Sequence, residues 1–161
     1  MTEQHKKFLH LAIVEQKKYS EIQLEMNIDK ATISKWWNDL KTEREQLSES
    51  RKIWKRKCSE LEFLQFKDWL DRSVKRCHYC GITEPEIKSL IDNGKIYTKR
   101  LTTRGRKLEI ERVLPNEKYD NVTNLVYCCY WCNNAKSDEF SKAEFESIGA
   151  TISLIWQKRK M

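Results

Sequence analysis

The spacing of apolar residues near the start of the chain predicts three helices. In the segment 6–18, apolar side chains recur at helical spacing at Phe8, Leu9, Ala12 and Ile13. Ser20 is expected to cap a second helix that runs through Met26. Asp29 is expected to cap a third helix, whose apolar positions are Ile33, Trp36, Trp37 and Leu40.

The second and third predicted helices are joined by a turn at Asn27-Ile28. A short helix, a tight turn and a second helix that begins with small polar and basic residues are typical of a helix-turn-helix unit. In such a unit the residues expected to face a DNA major groove are Lys30, Ala31, Thr32, Ser34, Lys35 and Asn38. A three-helix bundle used for packing or dimerisation would have the same pattern and remains the alternative.

The middle of the chain changes from a charged segment to an amphipathic one. Residues 43–60 are densely charged with little apolar face, which predicts a solvated helix linking two parts of the protein. The following stretch, ELEFLQFKDWLDRSVKR, predicts an amphipathic helix whose apolar positions are Phe63, Phe66, Trp69, Leu70 and Val74.

A strongly basic segment follows the predicted amphipathic helix. The segment 94–107, GKIYTKRLTTRGRK, has six basic residues and no acidic one, and its alternation with a turn at Gly105 predicts a hairpin. Its cations are candidates for binding DNA phosphates, namely Lys99, Arg100, Arg104, Arg106 and Lys107. A solvated basic loop is the alternative.

The last third of the chain has the order strand, loop, strand, helix. LEIERVLP predicts a strand, NLVYCC its partner, and CNNAKSDEF the start of a helix. Ser141 and Glu144 have the spacing of a capping box for a final helix. That helix is expected to pack through Phe145, Ile148, Ile152, Ile155 and Trp156.

Composition narrows the class of protein. The chain has 161 residues, a net charge of +7 and 17 aromatic residues (six Trp, six Tyr, five Phe), which predicts a folded protein with an anionic partner, commonly nucleic acid. Nothing in it resembles a membrane span or a secretory signal, so a cytoplasmic protein of prokaryotic or phage type is expected. Six cysteines in such a chain favour reduced thiols over disulfides.

Four of the cysteines form two Cys-x-x-Cys pairs about 50 residues apart, Cys77 with Cys80 and Cys129 with Cys132. Two such turns supply four thiolates in a tetrahedral arrangement, which predicts structural Zn²⁺. A closed four-thiolate site leaves no open position for a reacting water, so this zinc is expected to support the fold. A redox pair is the alternative, and Cys58 and Cys128 are left over.

The motifs CHYCG, LEIERVLP, the Asn of VTNLV, and CNNAK together resemble the HNH endonuclease family, over roughly residues 76–140. The resemblance implies a ββα-metal nuclease core in which Glu111 and Asn133 bind Mg²⁺ or Mn²⁺ and Asn124 braces the loop. At the place of the family's water-activating His stands Arg112, which cannot accept a proton. Glu111 also replaces the usual Asp.

The arginine is similar to that of one rare-cutting restriction endonuclease of the family, in which a Tyr follows seven residues later. Here Tyr119 has that position, so the resemblance implies that Tyr119 initiates strand cleavage. A phenol with a pKa near 10 needs about 4 kcal/mol of differential stabilisation to ionise near pH 7, and Arg112 and a divalent cation are suitable sources. Other candidate bases are Glu117 and His78, and Tyr119 as a packed loop residue remains open.

The sequence therefore predicts an α+β protein with three parts. They are a helix-turn-helix region over residues 1–42, a charged helical linker over 43–60, and a zinc-stabilised HNH nuclease domain over 61–161. The predicted function is sequence-specific, metal-dependent cleavage of double-stranded DNA, by a homodimer because two strands need two active sites. The alternatives are a DNA-binding protein with an inactive core, and an RNA or single-strand nuclease in which Tyr130 and Trp131 stack bases.

Overall fold

The computed structural model describes residues 1–97 and 104–161. These residues form two compact units, Met1–Lys67 and Asp68–Met161. Within the described residues, the helices are α1 (Glu3–Leu9), α2 (Tyr19–Met26), α3 (Lys30–Asp39), α4 (Lys41–Lys57), α5 (Phe63–Arg72), α6 (Glu84–Asp92), α7 (Tyr130–Lys136) and α8 (Lys142–Lys160), and the strands are β1 (Glu109–Arg112) and β2 (Leu125–Cys128). The described residues are thus mostly helical, with one small antiparallel sheet.

The first unit packs its helices around a small apolar cluster. Helix α1 continues into one π-helical turn at His10–Val14, so the first predicted helix is present but changes its winding. Ring contacts join Phe8 edge-on to Trp36 and Trp37, with centroids 5.7 and 6.5 Å away. The buried members of the cluster are Phe8, Leu9, Leu11, Ile22, Ile33 and Leu40.

Helices α2 and α3 lie at the predicted positions, and one of the two predicted caps is different. Helix α2 begins at Tyr19, because the backbone N–H of Lys18 donates to the carboxylate of Glu21 (2.6 Å), so Ser20 is not the cap. Asn27 ends α2 in the left-handed conformation. Asp29 caps α3 as expected, accepting the backbone N–H of Thr32 at 2.7 Å.

Helix α4, which holds most of the predicted charged linker, packs within the first unit. The guanidinium of Arg44 donates to the carbonyl of Trp37 (2.8 Å) and lies 4.2 Å from the centre of its ring. Farther along, Arg51 donates to the carbonyl of Val14 (3.2 Å). The indole of Trp54 donates to the carbonyl of Leu61 at 2.8 Å. These contacts hold α4 against neighbouring segments of the first unit, although the helix has few apolar residues.

The second unit contains the strand–loop–strand–helix order that the sequence predicts. Strands β1 and β2 are antiparallel, with Glu109 opposite Cys128 and Arg112 opposite Leu125. The predicted third element begins two residues earlier than expected, at Tyr130, because the backbone N–H of Cys132 donates to the thiol of Cys129 (3.4 Å) and makes the second cysteine turn the first turn of α7.

Around this element the core of the second unit combines the cysteines with apolar residues of α6, of the segments that flank α6, and of α8. The apolar members are Ile82, Ile87, Leu90, Ile96, Phe145 and Trp156. The capping box of Ser141 and Glu144 is present at the start of α8. Helix α6 was not predicted, although Thr83 and Glu86 form a capping box around Pro85, which is a sequence signal for it.

Two apolar residues expected to pack are instead exposed. Helix α5 ends at Arg72, so Val74 lies beyond it and is 73% exposed, while Phe63 and Phe66 are buried as predicted. In α8, Ile155 is 42% exposed, whereas the next residue, Trp156, is buried. Among the helices of the described residues, none is both long and apolar enough to cross a bilayer.

Candidate active site and metal centre

Four thiols converge in the second unit. The Sγ atoms of Cys77, Cys80, Cys129 and Cys132 all lie within 4.8 Å of one another, and all four residues are buried. The first cysteine turn closes when the N–H of Gly81 donates to the carbonyl of Cys77 (2.9 Å). Gly81 has φ +73°, which L residues with a side chain rarely adopt. This arrangement could hold a structural metal such as zinc, in agreement with the predicted ligand set.

The two remaining cysteines lie outside this group of four. Cys128 is buried at the end of β2, and its thiol contacts the carbonyl of Cys129 (3.5 Å). Cys58 is buried in the first unit, where burial raises the pKa of its thiol to about 11. A buried thiol that stays protonated behaves as a small apolar side chain.

A compact polar cluster lies beside the sheet and contains three of the predicted catalytic residues. Strand β1 holds Glu111 and Arg112, and the loop after it returns Tyr119 to both of them. The phenol of Tyr119 lies 3.3 and 3.4 Å from the two carboxylate oxygens of Glu111. The guanidinium carbon of Arg112 is 4.7 Å from the centre of the Tyr119 ring. The structure therefore brings an acid, a cation and a phenol together.

Arg112 is held from several sides. Its Nη1 donates to the backbone carbonyl of Glu117 (2.8 Å), and its Nη2 donates to the carboxylate of Asp138 (3.3 Å). Its Nε is 3.7 Å from Glu111 Oε1, too long for a hydrogen bond. Glu117, the alternative base, contributes its backbone to this contact and has an exposed side chain.

The environment of Tyr119 works against ionisation of its phenol. The pKa of Tyr119 is raised to about 12, mainly by burial and secondly by the charge of the Glu111 carboxylate. The guanidinium of Arg112 offsets only part of this rise. The expectation that Arg112 would help to lower this pKa is right in direction. The effect of the guanidinium is smaller than the opposing effects of burial and of Glu111.

Asn124 braces the loop between the strands. It is buried, and it accepts the backbone N–H of Leu114 (2.8 Å) while donating to the carbonyl of the same residue (3.3 Å). The carbonyl of Asn124 also accepts the N–H of Val113 (2.9 Å). These contacts fix the chain directly after Arg112.

Asn133 contacts Glu109, a residue that was not among the candidates from the sequence. Its side-chain amide donates to Oε2 of Glu109 at 2.6 Å. Glu109 also forms a two-point ion pair with Arg104, with N–O distances of 2.9 and 2.6 Å. Because alternate residues of a strand share a face, Glu109 lies on the same face of β1 as Glu111. The i, i+2 spacing of the two acids was a sequence signal for this second carboxylate.

The predicted DNA-binding residues occupy mostly exposed positions. On α3, the exposed ones are Lys30, Ala31, Ser34, Lys35 and Asn38, while Thr32 is partly buried and held by Asp29. In the basic segment, Arg106 and Lys107 are exposed, whereas Arg104 is engaged with Glu109 and with the ring of Tyr130, 4.9 Å away. Lys99 and Arg100 lie outside the described residues.

Two aromatic residues considered for base stacking are packed in the second unit. Tyr130 is 8% exposed and contacts Trp131 edge-on, with ring centroids 5.8 Å apart. Trp131 in turn packs against Trp156, with centroids 4.9 Å apart. His78, the third candidate base, lies on the first cysteine turn, where its backbone N–H donates to the carbonyl of Tyr127 (2.8 Å).

Comparison with known proteins gives one structural similarity of note. No protein-family model matches the chain, and no curated protein matches it. The chain is similar to the solved structure of the rare-cutting HNH restriction endonuclease PacI, which is described as perturbing DNA by an extraordinary mechanism. The two share 28% sequence identity over 62% of this chain and 67% of that chain, with a TM-score of 0.50. This similarity supports an HNH-like fold.

Proposed function

We propose that this protein is an endonuclease that hydrolyses phosphodiester bonds of double-stranded DNA with the help of a divalent metal ion. The observation that carries the proposal is the cluster of Glu111, Arg112 and Tyr119, in which the phenol lies within 3.4 Å of both carboxylate oxygens and the guanidinium lies over the ring. The structural similarity to an HNH restriction endonuclease supports the same class of activity.

The polar residues beside the sheet suit Mg²⁺ or Mn²⁺. Glu111 supplies a carboxylate whose side chain is 13% exposed, and Asn133 supplies a partly buried carboxamide. Hard oxygen donors that leave other positions for water are typical of Mg²⁺ sites. A divalent cation at Glu111 would neutralise the charge that raises the pKa of Tyr119 and would stabilise negative charge on the scissile phosphate.

In this proposal, Tyr119 and Arg112 together replace the histidine that activates water in HNH endonucleases. Arg112 cannot accept a proton, and its guanidinium favours the phenolate form of Tyr119 and can pair with a phosphate oxygen. Tyr119 then acts as a base or as a nucleophile. As a base, the phenolate takes a proton from the water that attacks phosphorus. As a nucleophile, it bonds to phosphorus itself, and water later releases it. Either way the 3′ oxygen leaves.

DNA binding is assigned to two exposed basic surfaces. One is the start of α3, where the exposed Lys30, Ser34, Lys35 and Asn38 are assigned to a recognition helix. The other is the basic segment, in which the exposed Arg106 and Lys107 would contact phosphates while Arg104 is paired with Glu109. Cleavage of both strands requires two active sites, so the active form is proposed to be a homodimer. Roles in restriction, phage defence or mobile-element transfer all fit this activity.

The test is cleavage of a long mixed-sequence duplex by the zinc-loaded protein with Mg²⁺ or Mn²⁺. Discrete fragments that require the added metal are expected. Tyr119→Phe should lower the rate by about 100-fold or more, as expected for loss of a positioned proton-transfer group. Glu111→Ala should lose the response to metal. The matched control is Tyr127→Phe, because Tyr127 is half-buried like Tyr119 but lies opposite Ile110, on the other face of the sheet from Glu111.

Each other result has a defined meaning. Full activity in Tyr119→Phe would remove tyrosine from the mechanism and make Glu117 the candidate base. A protein–DNA adduct that survives denaturation and is absent in Tyr119→Phe would identify the tyrosine as nucleophile. Binding of duplex by the wild type without any cleavage would refute the nuclease and leave a DNA-binding protein with an inactive core.

A further inference from the structure

We propose that Glu109 is a positioning residue that turns the oxygen of the Asn133 carboxamide toward the divalent-metal site. The inference rests on the proposed function, in which Asn133 is a metal ligand. Only the oxygen of a carboxamide binds a hard cation, and the nitrogen of the same group is of nearly equal size. A ligating asparagine therefore needs a neighbour that distinguishes its two ends.

Glu109 is such a neighbour. An ionised carboxylate only accepts hydrogen bonds, so the 2.6 Å contact of Asn133 with Oε2 of Glu109 requires the Nδ2 end of the amide. The oxygen end of Asn133 then points away from Glu109. Because a hydrogen bond to a charged acceptor is stronger than one between neutral groups, this orientation is held firmly.

Glu109 itself is kept out of the proposed metal site. Arg104 donates to both of its carboxylate oxygens, at 2.9 and 2.6 Å, and balances its charge. The guanidinium of Arg104 is placed by the ring of Tyr130, 4.9 Å away. The Glu109 side chain is 19% exposed, and that of Arg104 is 43% exposed.

The two acids of β1 therefore have different roles. Glu111 contacts Tyr119 and is the proposed ligand, whereas Glu109 is bonded to Arg104 and Asn133. Their Cα atoms are about 7 Å apart along one face of the strand. Residues that orient metal ligands commonly change metal affinity by about 10- to 100-fold when they are removed.

The experiment measures Mn²⁺ affinity of the full-length, zinc-loaded protein without DNA, from the electron paramagnetic resonance signal of free Mn²⁺. Glu109→Ala is expected to weaken Mn²⁺ binding by about 10- to 100-fold. Glu109→Gln should weaken it as well and conserves the side-chain shape. In that variant Arg104 takes the single amide oxygen and leaves an NH₂ group facing Asn133. The control Asn134→Ala removes the neighbouring, exposed amide of α7 and should leave the affinity unchanged.

A second substitution separates orientation from direct ligation. Asn133→Asp makes both ends of the side chain oxygens, so orientation no longer matters. Added to Glu109→Ala, it should restore Mn²⁺ affinity to near the wild-type value. Made alone, it should weaken binding, because it places two carboxylates in contact across the 2.6 Å that the hydrogen bond now spans.

The outcomes separate the inference from the function on which it rests. Unchanged Mn²⁺ affinity in both Glu109 variants would overturn the positioning role and leave the metal site in place. Weakened binding that Asn133→Asp does not restore would overturn it too, since Glu109 would then be a direct ligand. Absence of Mn²⁺ binding by the wild type would overturn the metal-dependent function and the inference together.

Discussion

At the scale of single residues, the site is determined by polar contacts that each side chain makes at a distance in sequence. Arg112 reaches Asp138 across 26 positions, and Asn133 reaches Glu109 across 24. The identities of Arg112, Tyr119 and Asn133 were candidates from the sequence alone. The partners Asp138 and Glu109 were not, because a strand, a loop and a helix must fold together before these atoms meet.

Removal of the Asn124 side chain should destabilise the protein because this buried amide pairs with both backbone polar groups of Leu114. Both the N–H and the carbonyl of Leu114 would lose their partner in Asn124→Ala. The expected loss in the free energy of unfolding is about 1–3 kcal/mol, measured by urea denaturation of the zinc-loaded protein. Asn134→Ala, at an exposed position of α7, should change it by less than about 0.5 kcal/mol. Equal effects of the two substitutions would contradict the bracing role.

At the scale of secondary structure, close packing decides whether local preferences are expressed. Helix α8 passes the first cysteine turn at Gly149, where an added Cβ would lie 2.8 Å from Cβ of Tyr79 and 3.0 Å from its carbonyl oxygen. Tyr79 is also packed edge-on against Phe145, with ring centroids 5.0 Å apart. The glycine is thus required by the approach of α8 to the turn and not by the helix.

Gly149→Ala should therefore destabilise the protein although alanine favours helices by about 1 kcal/mol over glycine. The backbone of Tyr79 cannot move without disturbing Cys80, so overpacking is expected to cost about 1–3 kcal/mol. Thermal unfolding of the zinc-loaded protein measures the effect. Ala150→Gly, at the exposed neighbouring position, isolates helix preference and should cost about 1 kcal/mol. Stabilisation by Gly149→Ala would show that α8 does not approach Tyr79 this closely.

At the scale of the whole molecule, the two units depend on different sources of stability. The first unit has a cluster of apolar residues between Phe8 and Leu40 that contains no cysteine. The core of the second unit includes all four clustered cysteines, supplied by two separate stretches of chain. A bound metal would join these two stretches of chain. Without the metal, the core would contain four buried thiols with no bonds between them, and the second unit would be less stable.

Removal of the metal with a thiol-competent chelator should consequently unfold the second unit and spare the first. Hydrogen exchange followed by mass spectrometry should show loss of protection over residues 77–97 and 125–136, with residues 8–40 still protected. Returned Zn²⁺ should restore protection. Cys58→Ser should bind the same amount of zinc as the wild type, because Cys58 lies in the first unit. Simultaneous loss of protection in both units would show that the first does not stand without the second.

The sequence by itself determined the features whose signals are local. Helical spacing and Asp29 predicted α3, the Ser141–Glu144 capping box predicted the start of α8, and Cys-x-x-Cys spacing predicted the four clustered thiols, because each pattern needs only a few neighbouring residues. The same kind of signal marked α6 at Thr83 and Glu86, and it was missed.

Only the tertiary structure decided which side chains of the candidate site contact one another. It placed Asn133 against Glu109 and anchored Arg112 between the Glu117 carbonyl and Asp138. It also half-buried Tyr119 beside Glu111, so that the pKa of Tyr119 is raised. Burial and electrostatic interaction depend on distances between atoms far apart in sequence, and no periodic pattern records those distances. The sequence identified which side chains could take part in catalysis or bind a metal. The environment that sets their charge and orientation depends on the folded structure.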